Sequence, residues 1–430
     1  MASKKIGKDD LQEPKGMRDI LPNDYTYFET VYKKAEEISS FYNFQMFQLP
    51  HVEKSVLFEH TVGETSDIVE KEMYSLKTKG SDGLVLRPEG TAPVMRSYLQ
   101  HGMHTWSQPV MLSYKGSFFR YENPQKGRFR EFQQFGIEII GEESAIAEAI
   151  VIKTMTLILE ELGVGPITIQ INSRGDKDCI NNYRKALIAY YKKYTKDLCK
   201  DCQRRFKTNP FRLLDCKDEK CIEIRDDAPQ ILDHLCNPCK KHFKEVLEHL
   251  DLNNIPYLLN PYLVRGLDYY SRTVFEIFAD GSEKLSQSAL GSGGRYDGLS
   301  KTLGKKEVPG VGGGLGVDRI VELMKEKKIK PKNDKKAKVF FIQLGSLAKY
   351  KSLNIVEMLR KANIPVAQSL TKNNLGGQLS TADKLGVSYA LIMGQKEAQE
   401  DSVIIRDMKT RAQTTIKLND IVATIKKKLK

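Results

Sequence analysis

The chain has 430 residues, 40% of them hydrophobic and 29% charged, with a formal net charge of +13. That balance is ordinary for a globular protein of two or three domains. No apolar run approaches the length of a membrane span, and the polar N-terminus lacks the apolar core of a signal peptide, so a cytoplasmic protein without a membrane partner is expected.

The first helix is expected to start at Pro22-Asn23-Asp24, with Phe28, Val31, Tyr32, Ala35 and Ile38 at helical spacing. Strands then predominate, at 44–49, 84–86, 110–114, 118–121 and 130–140, followed by a long helix at 144–162. Residues 174–260 read as a helical, cysteine-rich insertion. A strand resumes near Thr273, where Thr273, Phe275 and Ile277 alternate with Val274, Glu276 and Phe278. Clustered strands with few helices between them predict an antiparallel α+β domain over residues 1–324.

Residues 325–338 hold eight lysines and little to bury, and read as a linker. Beyond it, strands at 339–342, 366–370 and 389–393 alternate with helices at 347–361 and 375–385. A hairpin of 403–405 with 414–418 and a last helix follow. The spacing predicts a small α/β domain over 339–430 with a mostly parallel sheet. Residues 325–430 carry 23 basic against 9 acidic residues, whereas the rest of the chain carries 45 against 46. A polyanion partner for the last quarter is one reading of that excess; solubility is the other.

Three stretches carry chemistry. Residues 263–273, Leu-Val-Arg-Gly-Leu-Asp-Tyr-Tyr-Ser-Arg-Thr, set the Arg265 guanidinium beside the phenols of Tyr269 and Tyr270. Such a group suits an oxyanion, although a surface ion pair with core tyrosines would use the same residues. On the strand 130–140, one face presents Phe135, Ile137 and Ile139 as core. The other presents Phe132, Gln134, Gly136 and Glu138. That second face spans about 20 Å, enough for an extended ligand with its base at Phe132 and its polar end at Glu138. Glu89 and Thr91, either side of Gly90, can receive an ammonium group or cap a helix. Arg120, Arg128 and Arg130 around one Pro/Gly loop resemble a phosphate clamp. Glycine runs at 291–294 and 310–316, the latter followed by Arg319, let backbones approach a ligand, yet neither they nor any other segment form a dinucleotide or phosphate-loop fingerprint.

With these residues together the chain resembles the histidyl-tRNA synthetases, a family of class II aminoacyl-tRNA synthetases, from about Pro14 to the C-terminus. Residues 14–19 resemble the dimer-forming first motif, 119–138 the second, 312–319 the third, and 265–270 a block typical of histidine enzymes. The resemblance implies an α+β catalytic domain on an antiparallel sheet, a helical insertion and an anticodon-binding α/β domain. It implies a homodimer that joins L-histidine to tRNA(His) with ATP and Mg2+. Glu89, Gly90, Thr91 and Gln134 would hold the α-amino group. Glu138 and Tyr270 would grip the imidazole, with Tyr269 as a wall. Phe132 and Arg319 would sandwich adenine, Arg128 and Arg130 would hold the pyrophosphate end, and Arg120 and Arg265 would stabilise the α-phosphate. Gln125 would contact the tRNA acceptor end. Asn123 departs from the family, whose bacterial members often carry Arg there. A related regulatory subunit would lack the anticodon domain and the 265–270 block; both are present here.

All seven cysteines fall in the insertion, six of them at 199, 202, 216, 221, 236 and 239. The pairs Cys199-x-x-Cys202 and Cys236-x-x-Cys239 suggest one structural zinc; reduced, partly buried thiols are the alternative.

Overall fold

The structure is a computed structural model and describes residues 11–63, 66–80, 82–280, 289–331 and 336–429. The chain divides into two compact units, Met1–Pro331 and Lys332–Lys430. The first contains β1 (Gln45–Met46), β2 (Val52–Lys54), β3 (Ser75–Leu76), β4 (Leu84–Leu86), β5 (Val110–Phe119) and β6 (Glu131–Ile140). It continues with β7 (Ile167–Ser173), β8 (Tyr257–Leu259), β9 (Ser271–Ala279), β10 (Gly291–Arg295) and β11 (Gly310–Gly316). Eight of these form one sheet in the order β1-β5-β6-β11-β10-β9-β7-β8. Its six central strands are antiparallel, and each edge strand pairs parallel. The expected strands 110–114 and 118–121 are one strand. The expected strand 84–86 is present but belongs to a separate sheet, β2-β4-β3.

The sheet's two faces are different cores. Phe135, Ile137 and Ile139 of β6 pack with helix Pro22–Phe41 (Phe28, Val31, Ala35, Ile38) and helix Ile146–Glu161 (Val151, Ile152, Met155, Ile158). Leu112, Tyr114 and Phe118 of β5 face the other way, with Tyr98 of helix Thr91–Gln100 and with Tyr269, Tyr270 and Tyr296. Period-two alternation on β5 and β6 thus separates a structural face from a face rich in phenols and carboxylates.

The insertion is not wholly separate. Phe243, Val246 and Leu250 of helix Asn237–Leu252 belong to the main core. On the same helix His242 Nε2 lies 2.6 Å from Glu148 Oε1, and the fully buried Arg295 grips both oxygens of the same carboxylate. The linker also begins later than expected. Helix Val317–Glu326 covers its start, and Lys327 Nζ donates to the carbonyls of Val164 and Gly165. Residues 332–335 of that segment, like residues 1–10, lie outside those described.

The second unit holds β12 (Val339–Gln343), β13 (Val366–Gln368), β14 (Tyr389–Met393), β15 (Ser402–Asp407) and β16 (Gln413–Lys417), in the order β13-β12-β14-β15-β16. Two pairings are parallel and two antiparallel, so the sheet is mixed rather than mostly parallel. The terminal hairpin supplies the antiparallel half. Among the described residues no helix is long and apolar enough to cross a membrane.

Glu148→Ala would leave Arg295 buried without its counter-charge. It should destabilise the first unit by about 3–5 kcal/mol, read by urea unfolding through Trp106, the chain's one tryptophan. An unchanged midpoint would contradict the role given to this pair.

Candidate active site

A cavity of about 1150 Å³ opens on the phenol-rich face of the sheet. Its floor is set by cross-strand register. Tyr114, Gly136, Gly314, Ser292 and Glu276 form one row across β5, β6, β11, β10 and β9. Gln134 and Phe132 lie successively nearer the β5–β6 hairpin, and Glu138 lies on the opposite side of the row.

Glu138 is fully buried. Its Oε1 accepts from the Thr91 hydroxyl at 2.8 Å and the Tyr114 hydroxyl at 3.2 Å, and its Oε2 accepts from the Tyr296 hydroxyl at 2.6 Å. The resemblance pairs Tyr270 with Glu138 on the imidazole; the phenols that reach the carboxyl itself are Tyr114 and Tyr296, the latter in the Gly-Gly-Arg-Tyr-Asp run at 293–297. Glu138 also does not line the open cavity. Thr91 and Tyr114 do, and they screen it. Gly136 is a bare place on the strand, but no ligand need fill it: a Cβ there would collide with the Tyr114 ring, as would one at Gly90. Likewise Gly312 and Gly314 make room for the side chains of Glu138 and Gln134, which lie flat across β11.

Glu89 caps a helix start and also reaches the cavity. Its carboxylate accepts from the backbone N–H groups of Thr91 and Ala92 at the start of helix Thr91–Gln100, and from the Tyr269 hydroxyl at 3.1 Å. It also lines the cavity with Gly90 and Thr91. Burial raises its carboxyl above the usual range, against the two backbone bonds that lower it.

Cations gather on the same wall. Arg265 is paired with Glu276 and donates to Ser292 Oγ at 2.8 Å, with its guanidinium 5.4 Å from the Tyr270 ring centre. Arg120 donates through Nε to the Pro88 carbonyl and lies 5.3 Å from the Phe132 ring centre. Arg319 donates to the carbonyls of Gly127 and Ala289; burial, with Arg128 nearby, lowers it to about 10. Arg120, Arg128, Phe132, Arg265, Tyr269, Tyr270 and Arg319 all line the cavity. Arg130 does not, so of the three arginines around this hairpin two face the cavity. Arg130 stacks on Tyr121 at 3.7 Å and donates to the carbonyls of Glu122 and Lys15, bracing the turn at Gly16. Gln125 is exposed, bridged to Arg128 at the hairpin tip and outside the cavity lining.

Among the buried side-chain atoms that have no hydrogen-bond partner, three belong to this cavity: the acceptor Gln134 Oε1 and the donors Arg128 Nε and Arg265 Nε. A buried orphan is costly unless a ligand completes it. The insertion closes the cavity with Arg212, Asp215, Cys216 and Lys217, a wall that local sequence patterns do not announce.

The expected zinc quartet of Cys199, Cys202, Cys236 and Cys239 is not formed. The first pair joins Cys216 and Cys221, the second joins Asp176 and Cys179, in two separate clusters. The intervening chain returns each pair to a different partner, which spacing alone does not encode.

Burial holds the Glu138 carboxyl up at about 8, against hydrogen bonds from Tyr296 and Thr91 that lower it; its ordinary value is 4.5. The folded chain therefore binds more protons than the unfolded chain between those values. The stability this contributes is complete below 4.5 and is lost as pH rises through about 8. Glu138→Gln removes the titration, so its stability relative to the parent should rise from about pH 5 to about pH 9 in urea unfolding. Parallel profiles would contradict the raised carboxyl.

Comparison with known proteins places this geometry in context. A family model described as histidyl-tRNA synthetase matches residues 16–175 and 214–320, and one described as an anticodon binding domain matches 338–428. A histidine–tRNA ligase of Dehalococcoides mccartyi strain 195 is 41% identical over 418 residues, covering 97% of this chain and all of that protein. One from Syntrophotalea carbinolica is 40% identical, covering 95% and 96%. The crystal structure of apo histidyl-tRNA synthetase from S. aureus superposes with a TM-score of 0.80 at 31% identity, covering 96% of this chain and 99% of that one. By the extent of the family match and these full-length relatives, the chain belongs to the histidyl-tRNA synthetase family.

Proposed function

We propose that this chain attaches L-histidine to tRNA(His) through a histidyl-adenylate, releasing pyrophosphate and then AMP. The observation that carries the reading is the set of three orphan atoms in one cavity: an amide oxygen awaiting a donor and two guanidinium N–H groups awaiting acceptors. A ligand pair bearing one ammonium and several phosphates completes all three.

The register orders the ligands. Adenine stacks at Phe132, with Arg319 on the cavity wall. The α-ammonium of histidine is received by Gln134 Oε1 and the Glu89 carboxylate. The imidazole takes the place of a hydroxyl on Glu138, beyond Thr91 and Tyr114. Arg265 lies over the row between Phe132 and Glu138, which is where the α-phosphate of such a pair would fall. A guanidinium has five donors, so Arg265 can keep Glu276 and still offer Nε. Arg128 serves the pyrophosphate end. Magnesium enters with ATP as part of that substrate.

In the first step a histidine carboxylate oxygen attacks the α-phosphorus in line, and the bond to the pyrophosphate oxygen breaks. The nucleophile is already an anion, so the site's task is to stabilise charge on the α-phosphoryl oxygens, with Arg265 and Arg120 in that role. In the second, a terminal tRNA hydroxyl attacks the adenylate carbonyl and AMP leaves. Exposed at the hairpin tip, Gln125 meets the acceptor end. The second unit, with its basic excess, reads the anticodon. The reading includes a homodimer, inferred from the likeness of residues 14–19 to the first motif.

The test is ATP–pyrophosphate exchange with each of the twenty amino acids. Histidine alone should support it; no exchange with histidine would overturn the proposal. Arg265→His should slow adenylate formation by about a hundredfold or more while histidine affinity falls less. Equal losses in single-turnover kinetics and calorimetry would make Arg265 a binding residue only.

A further inference from the structure

The seven insertion cysteines, together with Asp176, converge in two places. In one, Cys199, Cys202, Cys216 and Cys221 bring four sulfurs within 4.8 Å of one another; in the other, Asp176, Cys179, Cys236 and Cys239 bring three sulfurs and a carboxylate oxygen within the same limit. We propose that the insertion holds two structural zinc ions, one bound by each quartet.

The two sites share a plan. In each, a C-x-x-C pair stands at a helix start: Cys199 precedes helix Lys200–Thr208, and Cys236 precedes helix Asn237–Leu252. Two further ligands come from elsewhere in the chain. The pairs Cys199/Cys216 are 3.9 Å apart at sulfur, close to the edge of about 3.8 Å that a tetrahedron with Zn–S of about 2.3 Å requires. That separation is far from the roughly 2.05 Å of a disulfide, and all seven cysteines are free. Helix N-termini favour the thiolate, and backbone N–H groups already point at sulfur: Cys199 N to Cys221, Cys202 N to Cys199 and Cys236 N to Cys179.

Asp176 divides its carboxylate between two tasks. Oδ1 accepts from the N–H groups of Asp178 and Cys179 and caps helix Lys177–Tyr191. Oδ2 faces Cys236 and Cys239 at 3.2 and 3.4 Å, near the O···S edge of about 3.6 Å in a mixed tetrahedron. A cap needs only one oxygen; turning the second onto three sulfurs is the geometry of a ligand. Soft sulfur donors select zinc over magnesium or calcium.

The local core explains what the metals do. Of fourteen buried residues in the insertion's cluster, five are cysteines. A domain this small with so few apolar residues is held together by metal clips. Each quartet draws two of its ligands from residues 176–213, the break in the family match, and two from residues within the match. Cys216 also lines the cavity beside Asp215 and Lys217, so the all-sulfur site fixes the wall that covers the substrates.

Metal analysis of the desalted full-length protein should find two zinc ions per chain. Cys202→Ser and Cys239→Ser should each leave one, and the double variant none. Asp176→Asn keeps the helix cap but not the anionic ligand. It should retain the parent's circular dichroism yet lose one zinc to a chelator concentration that leaves both in the parent. Cobalt substitution should show thiolate-to-cobalt charge transfer and tetrahedral bands, with a spectrum altered by either cysteine variant. Seven titratable thiols without metal, disulfides among these cysteines, iron in place of zinc, or a single zinc per chain that either variant alone abolishes would each overturn the assignment. So would an Asp176→Asn protein that keeps both zinc ions as firmly as the parent.

Discussion

The Glu138 carboxyl has no exposed surface, and its burial obliges every neighbour to supply a hydrogen bond or make room. Thr91, Tyr114 and Tyr296 give the hydrogen bonds from three separate elements. Gly312 gives the room across β11, and Gly136 and Gly90 admit the tyrosine ring that reaches it. Thr91 bonds Glu138 through its hydroxyl and Glu89 through its backbone N–H, so the two carboxylates share one scaffold. Burial that lifts Glu138 to about 8 also makes it a demanding acceptor, since an ionised carboxylate there is stable only when well matched by donors.

The sheet converts that local demand into an ordered site. β6 carries Phe132, Gln134 and Glu138 on one face at intervals set by the strand rise, and β10 and β9 place Ser292 and Glu276 where they hold Arg265 beside the middle of that line. Behind β10, the buried Glu148–Arg295 pair and His242 tie the strand that leads into Tyr296 to helix Asn237–Leu252. The insertion is therefore joined to the site from both sides: by this helix below the sheet and by the Arg212–Lys217 wall above the cavity.

Local periodicity was legible in the sequence; long-range pairing was not. Alternation on β6 identified its core face and its ligand face because period two is a property of one strand. That Gly136 lies opposite Tyr114, and is filled by it, depends on the β5–β6 register, which no local pattern states. Tyr296 follows the glycine run at 291–294, and only the fold brings it to Glu138. Arg130 looked like a third phosphate ligand by proximity in sequence; Tyr121 and the Lys15 carbonyl turn it away. The cysteine pairs were visible as pairs, but their partners 14 or more residues away, and Asp176 among them, are set by helix packing.

The central claim is that Glu138 receives the histidine side chain while the arginines serve ATP. Titration calorimetry on the parent and Glu138→Gln, with histidine and with ATP separately, tests it most directly. Histidine binding should weaken by at least about tenfold, the loss of one charged hydrogen bond, with ATP affinity unchanged. Unchanged histidine affinity, or an equal loss of both ligands, would contradict it.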